Sequence, residues 1–137
     1  MTAAPNVHAS AVAFGPHAGV LITGASGSGK SQLAMALIGE GAQLVSDDQV
    51  LLTALNGTLF ARAPHSIAGM IEVRGLGIVT MTYRRLAQIV LVVDLDRPAS
   101  RRLPDPLSRL VRGVTLPCLA GRPDTPFARG ISHYLLP

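Results

Sequence analysis

Residues 19–37 of this 137-residue chain, GVLITGASGSGKSQLAMAL, decide its fold. Within them, GASGSGKS (24–31) fits the phosphate-loop pattern G-x-x-x-x-G-K-S at every fixed position. A short apolar strand is predicted just before the motif, at 19–23, and apolar spacing predicts a helix directly after it, at 31–40. Glycines let successive backbone N–H groups surround a phosphate, and a helix N-terminus adds positive potential. The stretch therefore predicts that the chain binds nucleotide phosphates.

The motif gives its last two residues specific roles. Lys30, the only lysine of the chain, is expected to contact the β- and γ-phosphates, and the Ser31 hydroxyl is expected to bind Mg²⁺. ATP and Mg²⁺ are the expected cofactors, although backbone contacts leave other phosphoryl donors open. A Gly/Ser turn that only caps a helix is the alternative, which motif and context together disfavour. The residues expected to bind the nucleotide are Gly24, Ala25, Ser26, Gly27, Ser28, Gly29, Lys30 and Ser31.

Two acidic residues, Asp47 and Asp48, directly follow the next predicted strand, 42–46. An apolar strand that ends in acids beside a phosphate loop can hold Mg²⁺ or supply a general base. An aspartate that only caps the following turn is the alternative. Both aspartates are candidates for catalysis, and the sequence leaves open which of them is the base.

Other charged residues stand in or at the ends of predicted strands. Glu72 and Arg74 lie two positions apart and are predicted to share one strand face. Glu72 is a candidate second metal ligand and Arg74 a candidate phosphate clamp, a salt-bridged pair at a sheet edge being the alternative. Asp94 and Asp96, near the end of the most hydrophobic predicted strand, form another candidate metal-binding strand end.

The remaining patterns predict an α/β fold in which helices flank a mixed β-sheet. Asn56-Gly57 between two apolar segments is a hairpin signal, which makes an all-parallel sheet unexpected. Beyond residue 95 the chain is rich in proline and arginine, and its weak periodicity predicts no further element. A single domain is expected to span residues 1–137. The other predicted elements are strands at 7–14, 50–54, 58–61, 71–73 and 89–95 and a short helix at 65–70.

Composition and charge limit the class of protein. No apolar run has the length of a membrane span, and the N-terminus lacks the features of a signal peptide, so we expect a cytoplasmic protein without membrane contact. The single cysteine, Cys118, excludes an internal disulfide. One basic residue faces three acidic ones through residue 61, whereas eleven arginines face five acidic residues beyond it. Such a basic half suits phosphorylated ligands, an acidic protein surface or nucleic acid, or is simply a solvated surface.

Three segments together, GVLITGASGSGKSQLAMALI, GAQLVSDDQV and IEVRGLGIV, resemble the catalytic domain of HPr kinase/phosphorylase. The resemblance covers about residues 8–122, and its DD pair and E-x-R-G-L-G signature are more specific than the phosphate loop. It implies the mixed-sheet P-loop fold of HPr kinase and PEP carboxykinase. It also implies a homo-oligomer that transfers phosphate from ATP to a serine of an HPr-like phosphocarrier protein of a phosphotransferase system, with phosphorolysis as the reverse reaction. The short chain resembles the α-proteobacterial form that lacks the N-terminal domain.

The resemblance also implies roles for individual residues. His8 corresponds to a catalytic histidine upstream of the loop. Asp47 or Asp48 corresponds to the acid that takes the serine proton, and Asp47 is the residue to which we first assign this role. The other correspondences are Lys30 and Ser31 in the loop, Glu72 as a second Mg²⁺ ligand, Arg74 in the segment tied to both directions of catalysis, and Arg102 as an active-site arginine.

Three positions depart from the family pattern. Ala25 stands where the family usually has aspartate, and Pro104 follows Arg102-Leu103 where glycine is usual. The late loop contains Gly-Arg-Pro (121–123) where the family typically has Gly-Arg-Asn, which argues against phosphorylase activity.

Two rival functions use the same phosphate loop. A small-metabolite kinase would need a closing lid with paired arginines, which Arg101 and Arg102 could supply. A nucleotide-dependent regulatory switch would suit the basic balance, but no guanine-recognition signature is present. Few aromatic residues, 4% of the chain, argue against a platform on which the bases of a single strand could stack, and we expect no nucleic-acid partner.

Overall fold

The described part of the chain is a mixed α/β fold, as the sequence predicts. A computed structural model describes residues 6–97 and 107–136, which contain eleven strands and two α-helices. Helix α1 (Lys30–Gly39) follows the third strand, and helix α2 (Thr125–Leu135) closes the described chain. The strands are β1 (Asn6–Val7), β2 (Ser10–Ala13), β3 (Gly19–Thr23), β4 (Gln43–Ser46), β5 (Val50–Leu55), β6 (Thr58–Arg62), β7 (Met70–Val73), β8 (Gly77–Thr80), β9 (Ala87–Asp94), β10 (Ser108–Val111) and β11 (Val114–Ala120).

Most strands join one large sheet in the order β1-β5-β6-β9-β3-β2-β4. Strand β9 is parallel to β3 and antiparallel to β6, so the sheet is mixed. The first half of β9 pairs with β6, and its last three residues pair with β11 on the same side, in parallel. Strand β10 pairs only with β11, and β7 and β8 form a separate hairpin. The parallel strands β3, β9 and β11 thus end at one edge of the sheet.

Hydrophobic residues pack against both faces of this sheet. Because side chains alternate along a strand, Val20 and Ile22 of β3 point to one face and Leu21 to the other. Val20 and Ile22 share a buried cluster with Leu33 and Leu37 of α1. Burial on both faces explains why β3 is a continuous apolar run rather than an alternating one. Within the described segments, neither helix has the length and hydrophobicity needed to span a bilayer.

The elements around the glycine-rich segment agree closely with the prediction. Strand β3 has the predicted bounds, α1 begins one residue earlier than predicted, and the β5–β6 hairpin turns at Asn56-Gly57. The predicted strand at 7–14 is instead two strands, because β1 pairs with β5 whereas β2 pairs with β3 and β4. The predicted helix at 65–70 is a single 3₁₀ turn, since Gly69 adopts φ +79° beyond it.

Four elements were not predicted: β8, β10, β11 and α2. Arg112 and Gly113, at φ +53° and +81°, form the turn between β10 and β11, a hairpin signal that the arginine obscures. Asp124 caps α2 by accepting a hydrogen bond from the Phe127 backbone N–H at 2.8 Å. Asp followed by Thr-Pro was therefore a usable signal for the start of a helix.

Gly121 fits against the sheet so closely that a methyl group has no room. A Cβ at this position would lie 2.2 Å from Val93 Cγ1, so Gly121→Ala is expected to lower the free energy of unfolding by about 1–3 kcal/mol. Gly130, inside α2, has no described atom within 4 Å of such a Cβ, so Gly130→Ala is expected to raise it by about 0.5–1 kcal/mol. Denaturant unfolding of both variants measures the difference, and equal midpoints would contradict the packing argument.

Candidate active site

A glycine-rich loop (24–29) connects β3 to α1 at the carboxyl edge of the sheet. Gly29 is the N-cap of α1 and has φ +103°, a conformation that favours glycine. A Cβ on Gly29 would lie 2.7 Å from Cβ of Pro123, so the turn before α2 packs directly against the loop. Inside the loop, the Ser28 hydroxyl is buried and has no hydrogen-bond partner among the described residues. The loop is therefore closely packed against the turn before α2, and the Ser28 hydroxyl inside it has no protein partner among the described residues.

Lys30 lies inside the curve of this loop. Its side chain extends back over the loop, and Nζ donates hydrogen bonds to the carbonyl oxygens of Gly24 and Ala25 at 2.8 and 2.9 Å. The residue is only 7% exposed. A buried ammonium held by neutral carbonyls is an attractive partner for an anion, because a phosphate oxygen would give it a full opposite charge.

Asp47 is the centre of a buried hydrogen-bond cluster. Its carboxylate accepts from the Ser31 hydroxyl at 2.8 Å and from the Ser10 hydroxyl at 2.7 Å. It also accepts from the Glu72 backbone N–H at 3.2 Å. Asp47 thus joins α1, β2 and β7 to the end of β4, and with 6% exposure its carboxylate is held in one position.

Asp48 has a different environment from its neighbour. It adopts φ +72°, and its side chain is 67% exposed. Its Oδ1 lies 3.0 Å from His8 Nε2, which belongs to the break between β1 and β2. The Ala9 backbone N–H donates to the Asp48 carbonyl at 3.2 Å, and this bond keeps the break beside the end of β4. Asp48 and His8 therefore form an accessible acid–imidazole pair.

A cavity of about 630 Å³ lies between the loop, this pair and the β7–β8 hairpin. Glu72 and Arg74, both exposed, line its hairpin side. The described residues that line it are His8, Ser26, Gly27, Gly29, Lys30, Ser31, Gln32, Met35, Asp48, Glu72, Val73 and Arg74.

Most of the residues singled out from the sequence come together around this cavity. Asp47 is an exception, because it lies behind the cavity wall, where it holds Ser31. Gly24, Ala25 and Ser28 belong to the loop but do not line the cavity. Arg102 lies outside the described residues.

The cavity fits a magnesium ion only when it is shared with a phosphate. Among the described residues, no group of three or more His, Cys, Asp or Glu side chains could hold a metal ion without help. Mg²⁺ typically uses one or two protein ligands together with substrate phosphates and water. The Ser31 hydroxyl, which Asp47 orients, and the Glu72 carboxylate supply that kind of incomplete oxygen site.

Sequence analysis missed Ser10 and did not identify the protein groups that Asp94 and Asp96 contact. Ser10 is fully buried and accepts from the Asp48 backbone N–H at 3.3 Å while it donates to Asp47. A serine in an otherwise apolar strand was the available signal. Asp94 pairs with Arg109, and Asp96 accepts a hydrogen bond from Ala25. In the described structure, these two aspartates thus contact an arginine and a loop amide, and they do not belong to a group of three or more potential metal ligands.

Comparison with known proteins gives one consistent family. The family model for the HPr Serine kinase C-terminal domain matches residues 1–112. The HPr kinase/phosphorylase of Clostridium beijerinckii is 52% identical over 64 residues, which are 47% of this chain and 21% of that protein. That of Clostridium tetani is 51% identical over 61 residues, 44% and 20% of the two chains. The matches thus span about a fifth of the length of these relatives.

A solved structure resembles nearly the whole chain. It is the Hpr(Ser) kinase/phosphatase from Coxiella burnetii, which superposes with a TM-score of 0.76 at 28% sequence identity. The superposition covers 96% of this chain and 97% of the other. The fold class predicted from the sequence is therefore confirmed.

Proposed function

Because this chain belongs to the family of HPr serine kinase C-terminal domains, we propose that it transfers the γ-phosphoryl group of ATP to a serine of an HPr-like phosphocarrier protein. The observation that carries this proposal is the accessible His8–Asp48 pair across the cavity from the glycine-rich loop. A kinase needs a group that accepts the hydroxyl proton close to a group that binds the phosphates. The cavity walls hold both.

Lys30 and the loop amides are the proposed phosphate-binding groups. On binding, the Lys30 ammonium exchanges the carbonyls of Gly24 and Ala25 for β- and γ-phosphate oxygens, a stronger charge-assisted contact. The N-terminus of α1 adds positive potential at the same point. Mg²⁺, held by the Ser31 hydroxyl and Glu72, would neutralise charge on the phosphates. Asp47 supports this arrangement because its carboxylate fixes the Ser31 hydroxyl.

We propose Asp48, rather than Asp47, as the general base. The Asp47 carboxylate already accepts hydrogen bonds from Ser10, Ser31 and Glu72 and does not line the cavity. Asp48 lines the cavity and is exposed, so an acceptor serine can reach it. His8 holds one Asp48 oxygen in position, which leaves the other free to accept the serine proton.

Arg74 is the proposed partner for charge that develops during transfer. It follows β7 in the turn that begins the hairpin and lines the cavity beside Glu72. A guanidinium at this edge can neutralise a phosphoryl group while the acceptor serine approaches. Since little covalent chemistry is required of the protein in phosphoryl transfer, positioning supplies most of the rate.

The direct test is incubation of the protein with γ-labelled ATP, Mg²⁺ and purified HPr. The expected result is label on one serine of HPr. A matched reaction with HPr in which that serine is alanine should remain unlabelled. Absence of label on HPr overturns the proposal, and label that appears only on an added small metabolite favours the small-metabolite kinase. Release of phosphate without any acceptor would instead favour the regulatory switch.

Asp47→Asn is expected to lower transfer by about 10–100-fold at limiting Mg²⁺, since outer-shell ligands of a metal site contribute on that scale. The asparagine amide cannot accept from Ser31, Ser10 and the Glu72 N–H together, so the Ser31 hydroxyl loses its fixed orientation. Initial rates over a series of Mg²⁺ concentrations measure the effect, and excess Mg²⁺ should restore part of the rate. Asp124→Asn, at the cap of α2, is the matched control, because asparagine caps a helix as well as aspartate.

A further inference from the structure

Asp96 is hydrogen-bonded to the first peptide unit of the glycine-rich loop, on the side that faces away from the cavity. The Ala25 backbone N–H donates to both carboxylate oxygens of Asp96, at 3.0 and 2.9 Å. On the opposite side of the same trans peptide unit, the Gly24 carbonyl accepts from Lys30 Nζ at 2.8 Å. Asp96 and Lys30 thus hold the two ends of one peptide dipole, and each contact polarises the group for the other.

A second set of contacts holds Asp96 itself in place. The Asp96 backbone N–H donates to Asp94 Oδ1 at 2.9 Å, and the other oxygen of Asp94 is paired with Arg109. Arg109 also donates to the Thr23 hydroxyl at 2.8 Å, and Thr23 is the residue immediately before Gly24. Asp94 is buried, with 8% exposure. The ends of β3 and β9 are therefore tied together directly behind the loop, with Asp96 reaching over it.

We propose that Asp96 is a positioning residue for nucleotide binding, an inference that rests on the proposed function. When Lys30 turns to the phosphates, the Gly24 and Ala25 carbonyls lose their partner. The bond from Ala25 to Asp96 does not involve Lys30 and persists through that change. Asp96 thereby keeps the first half of the loop in the conformation that surrounds the phosphates.

The Asp96 carboxylate could instead occupy the place of a phosphate at the Ala25 N–H and so compete with the nucleotide. The position of the bond argues against competition. Ser26, Gly27 and Gly29 line the cavity, whereas Ala25 and Asp96 do not. The Ala25 N–H is therefore engaged outside the cavity, where an incoming phosphate does not replace Asp96. The two roles predict opposite changes in nucleotide affinity when Asp96 is removed. Loss of a positioning contact weakens nucleotide binding, whereas loss of a competitor strengthens it.

The test measures Mg²⁺–ADP and Mg²⁺–ATP binding to the full chain by calorimetry. Asp96→Ala is expected to bind about tenfold more weakly than wild type, because charge-assisted hydrogen bonds contribute on that scale. Asp96→Asn keeps an acceptor oxygen for the Ala25 N–H, so its affinity should stay within about threefold of wild type. Glu40→Gln, at the far end of α1, removes the same charge away from the loop and should bind like wild type.

Kinetics distinguish positioning from a general loss of structure. Asp96 is exposed, so Asp96→Ala should unfold at the wild-type denaturant midpoint, with a raised KM for ATP and an unchanged KM for the phosphocarrier. Affinity equal to or tighter than wild type in Asp96→Ala overturns the inference and leaves the proposed function intact. Failure of the wild-type chain to bind either nucleotide overturns the proposed function, and this inference with it.

Discussion

Asp48→Asn is expected to lower the rate of phosphoryl transfer to HPr by about a thousandfold, within the range that a positioned general base contributes. Asparagine has nearly the shape of aspartate but cannot accept a proton at neutral pH. The acceptor serine would then lose its proton to water or to a poorly placed group. Asp48 is exposed and away from the Lys30 contacts, so the variant should bind ATP with wild-type affinity.

Single-turnover transfer and ATP binding, measured on the same preparation, check this prediction. The pattern expected is normal binding with a transfer rate close to background. His8→Gln should give a smaller loss of transfer rate, because the glutamine amide can still donate a hydrogen bond to Asp48. If Asp48→Asn retained most of the transfer rate and Asp47→Asn abolished it even at high Mg²⁺, the assignment of the base would be reversed.

The sequence could name both aspartates but could not choose between them. Both residues follow β4 (Gln43–Ser46), so the alternation of side chains along a strand does not decide which of them faces inward. Which one does so depends on contacts that are distant in the chain. Ser10 and Ser31 hold Asp47 inside, and the φ of +72° at Asp48 turns the backbone toward His8. None of these contacts has a local signature, so the role of Asp48 stays a prediction until tested.

The fold could be predicted where local pattern and tertiary packing agree. The apolar run of β3, the glycine motif and the apolar face of α1 are consistent with one another, and they decide the α/β class. Beyond residue 95 the local signals are weak. Strand β11 contains Pro117, and it pairs both with β10, in a hairpin, and through its last residues with the end of β9. Residues 114–118 alternate between buried and exposed positions, but Pro117 and the arginine in the β10–β11 turn obscure the local signals of a strand and a hairpin.

The residues around the cavity also differ in how far the sequence could predict them. Those of one local motif were predictable, and those brought there by tertiary packing were not. The loop could be listed residue by residue from its motif, because one short segment forms it. Glu72 and Arg74 reach the cavity only because the β7–β8 hairpin packs on α1 through Ile71, which is almost fully buried. Asp96 was noticed as an acid at a strand end, but its bond to Ala25 requires the parallel pairing of β3 and β9.

Lys30→Met is expected to lower kcat/KM for ATP by at least about a thousandfold, at the upper end of what one transition-state donor contributes. The substitution keeps most of the length of the buried side chain and removes the ammonium group that we propose binds the phosphates. The same substitution should leave the free energy of unfolding unchanged or raise it. Lys30 is 7% exposed, and no carboxylate among the described residues forms an ion pair with it. Burying this charge costs free energy that only carbonyl contacts offset.

The Lys30→Met variant should therefore unfold at the same denaturant concentration as wild type or a higher one, while it no longer binds ATP. Calorimetric titration and denaturant unfolding measure the two quantities, and the Glu40→Gln variant is the control for loss of a charged side chain elsewhere on α1. A much lower unfolding midpoint in Lys30→Met would mean that the Lys30 ammonium stabilises the folded protein. Equal or greater stability with lost binding would mean that the loop keeps a costly buried charge for the nucleotide alone, a trade of stability for function.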